Sequence, residues 1–167
     1  MRLRLWSGGG LVRSGGAILA VASLLLVLVP ACSSGGDKTT PIYSVSAQKF
    51  RYSGFPTSVP SGNMTINFSN RENLPITHEM ILLALPSGQT KDDVIAKAKQ
   101  EGPDTEGDYV SFGEIGEVVT GSTKAQTFDL PPGSYMFACF EQGNLGDPEA
   151  KDKVHAARGM VFTFTVT

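Results

Sequence analysis

Two strand-like runs near the C-terminus constrain this chain more than any other feature. Gly133-Ser134-Tyr135-Met136-Phe137-Ala138-Cys139 follows a Pro131-Pro132 turn and ends on a thiol. The second run starts on the thioether Met160 and continues to Thr167, with Thr163, Thr165 and Thr167 alternating against apolar residues. Residues two apart in a strand point the same way. Tyr135, Phe137 and Cys139 therefore share one face, as do Met160, Phe162, Phe164 and Val166. His155 lies between the two runs. His78, the only other histidine, belongs to a third apolar run far upstream. Thiolate, imidazole and thioether are donors that soft and borderline metals take, copper above all. His78, Cys139, His155 and Met160 are thus candidate ligands for one mononuclear copper ion.

The rest of the chain reads as an all-β domain from Ile42 to Thr167. Tyr43 to Ser46 alternates apolar and polar residues, and Phe50 and Tyr52 continue in a strand-like way. Gly54, Pro56, Pro60 and Gly62 are turn material. Met64, Ile66 and Phe68 alternate with Thr65, Asn67 and Ser69, which predicts a strand with those three in a core. Thr77 to Leu85 is apolar enough for a strand with little exposed surface. One helix is predicted over Lys91–Gln100, capped by Thr90 with Asp93 in capping-box spacing and stopped at Gly102-Pro103. It reads as a short excursion. Tyr109 to Glu117 shows no clean pattern, Val118–Thr120 could begin a strand, and Ala125–Leu130 reads as one. Several short strands separated by turn signals indicate a Greek-key β-sandwich. Only 18% of residues are charged, and the 19 glycines and 10 prolines favour strands and turns over a helical bundle.

Residues 1–31 read as an export signal. Arg2, Arg4 and Arg13 precede an apolar stretch, Ala17–Val29, too short for a comfortable membrane span. Val29-Pro30-Ala31-Cys32 resembles a bacterial lipobox, in which the cysteine is acylated and becomes the mature N-terminus. Cys32 is the expected lipidation site, and residues 32–41 (CSSGGDKTTP) form a flexible tether. The domain is therefore expected outside the cytoplasm, held at the cell membrane by a lipid anchor on the periplasmic or outer surface. With Cys32 in the leader, no disulfide to Cys139 is expected. The formal net charge is −2, and the leader's arginines contribute nothing to the folded region. A basic surface supplies most of the affinity for nucleic acid, so no nucleic-acid partner is expected.

The C-terminal residues resemble the cupredoxins, the small blue-copper β-sandwich family that includes plastocyanin and azurin. Gly133 to Cys139 resembles the family's "G-x-Y-x-F-x-C" strand. His155 to Met160 resembles its "H-x-x-x-G-M" end, and Asn70 to His78 its "N…H" segment. The resemblance spans about residues 43–167. It implies a trigonal set of His78, Cys139 and His155 with Met160 as the weak axial ligand, one copper ion, and one-electron transfer to a redox partner protein by a monomer. Two positions depart from the pattern. Fifteen residues, Phe140–Val154, separate Cys139 from His155, where better-known members have only a few. Glu79 follows His78 where plastocyanins carry Asn, and its side chain is expected to point away from the face of His78 and Met80.

Two other readings of the same fold stay open at the level of sequence: a copper carrier or store, and a metal-free binding module. Met64, Met80 and Met136 could together form a Met-rich Cu(I) site, but Met64 and Met136 are read as core residues in preference to it. Catalysis finds no support, because the chain offers no Ser-His-Asp arrangement with credible flanks, no phosphate-binding loop and no CxxC pair. The chain is not expected to be an enzyme.

Overall fold

The computed structural model describes residues 39–143 and 153–167. The predicted export signal, Cys32 and most of the tether lie outside the described residues. Among those described, nine strands form two sheets: β1 (Ile42–Ala47), β2 (Tyr52–Ser53), β3 (Ser58–Val59), β4 (Gly62–Asn70), β5 (His78–Ala84), β6 (Ser111–Val118), β7 (Thr123–Leu130), β8 (Gly133–Ala138) and β9 (Val161–Val166). One sheet has the order β2-β1-β4-β7 and the other β3-β9-β8-β5-β6.

The inner faces follow the alternation of the sequence. Met64, Ile66 and Phe68 of β4 are fully buried. They share a core with Met80 and Leu82 of β5, Tyr135 and Phe137 of β8, and Phe164 and Val166 of β9. Antiparallel registers, Leu82 opposite Phe137 and Phe137 opposite Phe162, bring β5, β8 and β9 side by side. That order carries the start of β5, the end of β8 and the approach to β9 to one end of the sandwich. Phe137 lies against Phe55 edge-on and beside Phe164, with centroids 4.9 and 4.8 Å apart, separations at which aromatic pairs attract beyond their area.

Part of the outer face of the larger sheet is covered as well. Ile81 and Leu83 of β5, Met136 and Ala138 of β8, and Val161 of β9 form a second core with Val94 and Ala98 of helix α1 (Lys91–Glu101). The helix is thus a cover for the sheet and not a mere excursion. Its N-terminus is the expected capping box: Thr90 Oγ1 accepts from Asp93 N–H, and Asp93 Oδ2 accepts from Thr90 N–H. Gly102, at φ +65°, ends the helix, and the chain runs on as a 3-10 helix to Asp108 past the expected stop.

Three local expectations change. Tyr109–Glu117, which showed no pattern, holds all but the last residue of β6, whose pairing with β5 is interrupted by register shifts that blur its alternation. Val119 to Ser122 is a turn between β6 and β7, so no strand starts at Val118. Phe50 is not a strand residue. Lys49 and Phe50 both have positive φ, 52° and 55°. Gln48 and Arg51 exchange backbone hydrogen bonds around them. This is the geometry of a type I′ hairpin turn, usually filled by Asn and Gly.

Candidate metal centre

Four backbone hydrogen bonds assemble the end of the sandwich that holds the candidate ligands. Cys139 follows directly on β8, and its N–H donates to Met160 O at 3.3 Å. Its own carbonyl accepts from Ala156 N–H at 2.7 Å. His155 opens a 3-10 helix, His155–Arg158; its N–H reaches Glu141 O at 3.0 Å, and its carbonyl accepts from Met160 N–H at 3.1 Å. Gln142 and Val154 pair across the base of the long connection. The chain that leaves after Cys139 therefore returns through a ladder only a few residues away. The length of Phe140–Val154 does not displace His155, because the closure is made at the loop's base.

His78 arrives from the opposite side as the first residue of β5. The turn before it is organised by Asn70, the buried asparagine of the "N…H" segment. Asn70 Nδ2 donates to Ile76 O at 2.7 Å and to Val118 O at 2.8 Å, and its Oδ1 takes Glu72 N–H at 3.0 Å.

These elements bring three predicted ligands together. His78, Cys139 and His155 are all fully buried. The two Nδ1 atoms lie 3.0 Å apart, and Cys139 Sγ lies 3.4 Å from His155 Nδ1 and 3.9 Å from His78 Nδ1. The centre of that triangle is about 2.0 Å from each corner, close to common metal–nitrogen bonds of about 2.0–2.1 Å and a little inside metal–sulfur bonds of about 2.3 Å. One thiol and two imidazoles at these separations, shut off from water, fit a soft or borderline metal ion. Met160 is fully buried in the inner core, with its backbone bonded to both Cys139 and His155.

The surroundings tune the donors. Burial pushes the Cys139 thiol well above its usual pKa, opposed by the backbone N–H groups of Glu79 and Glu141 at the sulfur. Glu79 N lies 3.5 Å from Sγ. The main-chain link to the sulfur is thus kept although Glu79 replaces Asn. The Glu79 side chain instead accepts Phe140 N–H at 2.7 Å, tying β5 to the start of the long connection, and burial raises its pKa to about 7. Burial lowers the pKa of His78, opposed by Glu72, whose Oε1 lies 3.1 Å from His78 Nε2. For Glu72 itself burial acts upward, but hydrogen bonds from His78, Phe50 and Lys49 outweigh it and hold the carboxyl below its usual value.

Phe50 closes the site. Its ring stands edge-on to both imidazoles, with centroids 4.8 Å from His155 and 5.6 Å from His78, and the Arg158 guanidinium lies 3.6 Å over its outer face. Sequence reasoning missed Phe50, Arg158 and Glu72. Only Glu72 left a usable signal, an acid six residues before a candidate ligand, since ligating histidines commonly give their second N–H to a carboxylate.

No protein-family profile matches the chain, and no curated protein does. Among solved structures, the sodium-dithionite-reduced auracyanin from the photosynthetic bacterium Roseiflexus castenholzii superposes with a TM-score of 0.51 at 22% identity, covering 77% of this chain and 98% of the auracyanin. The chain has the cupredoxin fold. Auracyanin B matches with a TM-score of 0.49 at 21% identity over 76% of this chain and 88% of its own. An azurin from the obligate methylotroph Methylomonas sp. strain J gives 0.47 at 19% over 76% and 96%. On this cupredoxin fold, the buried His78–Cys139–His155 group lies where the ends of β5 and β8 converge with the approach to β9.

Proposed function

We propose that this protein is a type 1 copper electron carrier working outside the cytoplasm. His78, Cys139 and His155 would hold one copper ion, with the buried Met160 as the fourth candidate ligand. The observation that carries this reading is the buried triangle of two Nδ1 atoms and one Sγ on a cupredoxin fold. Copper supplies one-electron chemistry there by alternating between Cu(II) and Cu(I).

The chain's own contribution is to hold the donors still and dry. Cys139 and His155 are fixed through main-chain hydrogen bonds to each other's neighbours, and His78 through the nearly buried Glu72 carboxylate. Phe50 and Arg158 keep water off both rings. Donors that do not move between oxidation states need little reorganisation, which favours fast electron transfer. No substrate need bind, and no bond need be made or broken.

The extracytoplasmic setting rests on the leader and on Cys32 as its acylation site. No helix among the described residues is long and apolar enough to cross a membrane. A lipid at Cys32 would hold the domain at the cell membrane, where an unidentified redox protein exchanges electrons with the monomer.

The test is a reductive titration of the copper-loaded protein. One copper per chain, cycling reversibly with one electron, is expected. Tight Cu(I) binding that survives Cys139→Ser would instead mark a carrier or store and overturn the electron-transfer role.

A further inference from the structure

We propose that Glu72 is a positioning residue for the copper site, acting through His78 to present Nδ1 as the donor and to bias bound copper toward its oxidised state. This rests on the copper reading above.

The Glu72 side chain is 7% exposed, and its Oε1 sits 3.1 Å from His78 Nε2. The carboxylate is not free to swing away. The same oxygen takes Phe50 N–H at 3.1 Å, and Glu72's own N–H is bound to Asn70 Oδ1 at 3.0 Å. An ionised carboxylate only accepts hydrogen bonds, and a neutral imidazole carries one N–H. The proton of His78 therefore sits on Nε2, and the Nδ1 lone pair faces His155 Nδ1 and Cys139 Sγ at 3.0 and 3.9 Å. A carboxylate behind a ligating histidine raises its basicity, and losing such a partner commonly costs about 10- to 100-fold in metal affinity. Held one ring away from the metal in a buried setting, the negative charge also favours the more positive oxidation state. A structural carboxylate at the surface would do neither.

The experiment compares wild type, Glu72→Gln and Glu72→Ala as full chains. Glu72→Gln keeps the shape and an acceptor for Phe50 N–H, so a purely structural role would leave the copper equilibrium unmoved. Titrated against redox mediators, both variants are expected to shift the Cu(II)/Cu(I) equilibrium about tenfold toward the reduced ion, a rise of about 59 mV for one electron. Potentials equal to wild type in both variants, with the copper still bound, would overturn the proposal. The second arm needs neither copper nor a variant. Nitrogen-15 NMR of the metal-free wild-type chain is expected to show His78 as the Nε2–H tautomer, and an Nδ1–H tautomer would overturn the assignment. A wild-type chain that takes up no copper would refute the function proposed above, while the tautomer would still decide the Glu72 contact.

Discussion

The two imidazoles of the site are held in different ways. His78 is anchored by a side chain: its Nε2 meets Glu72, which a turn organised by Asn70 presents from six residues away. His155 is anchored by main chain. Its N–H and carbonyl are bound to Glu141 and Met160, and the residue after it is bound to Cys139 O. Its ring lies closer to Phe50, at 4.8 Å against 5.6 Å for His78. One imidazole is thus held by a polar contact that a single substitution can remove, and the other by a backbone ladder and an aromatic ring. Tuning and assembly are therefore separable here. The His78 side is held through Glu72, and His155 at the loop's base through Glu141 and the Gln142–Val154 pair.

Phe50→Ala is the largest perturbation of this contrast. Removing the ring leaves a void beside both imidazoles, and a buried phenylalanine truncated to alanine costs about 3 kcal/mol or more. Urea unfolding of the metal-free protein is expected to show that loss. The NMR signals of His155 should move more than those of His78, which keeps its Glu72 partner. Equal changes at both rings would erase the distinction.

A pair of substitutions isolates the polar anchor. His78→Ala strands a nearly buried carboxylate, whereas His155→Ala leaves its main-chain bonds in place. The first is expected to cost about 2 kcal/mol more stability than the second, the penalty for a buried charged group left short of a partner. Equal losses would mean that Glu72 contributes little to holding that side together.

Glu79→Gln tests the link between the two sides, because its carboxylate joins β5 to Phe140. Burial raises the Glu79 pKa to about 7, above its ordinary 4.5. The native state therefore keeps a proton that the unfolded state has lost, and stability falls as pH rises from about 4.5 to about 7. After screening by the solvent that the side chain still reaches, the loss is about 1–2 kcal/mol in the metal-free wild type. The slope due to this group is expected to disappear in Glu79→Gln. A wild-type stability profile unchanged by Glu79→Gln across that window would remove Glu79 from the account.

Much of the fold was legible because β-alternation survives in it. Met64, Ile66 and Phe68, and the faces of β8 and β9, could be assigned from period two alone, since one side of each meets the inner core. The capping box of α1 was equally plain, but its purpose was not. The helix covers β8 residues Met136 and Ala138, the even positions that a one-sided reading leaves outside. β6 was hidden by its irregular pairing with β5. In the site, His78, Cys139 and His155 could be named because rare donor types stood in a familiar order. Phe50 could not be, because its role depends on a left-handed turn at two residues with no sequence preference for it. Arg158 needed the 3-10 turn after His155 to bring it over Phe50. For Glu79 only the direction of the side chain was anticipated, and its N–H reaches Sγ. A main-chain donor is blind to the side chain that carries it.

The visible absorption spectrum of the Cu(II)-loaded protein tests the central claim most directly. A thiolate from Cys139 bound to copper beside His78 and His155 predicts an intense blue band, one copper per chain, lost in Cys139→Ser. A colourless protein holding copper only weakly would contradict it.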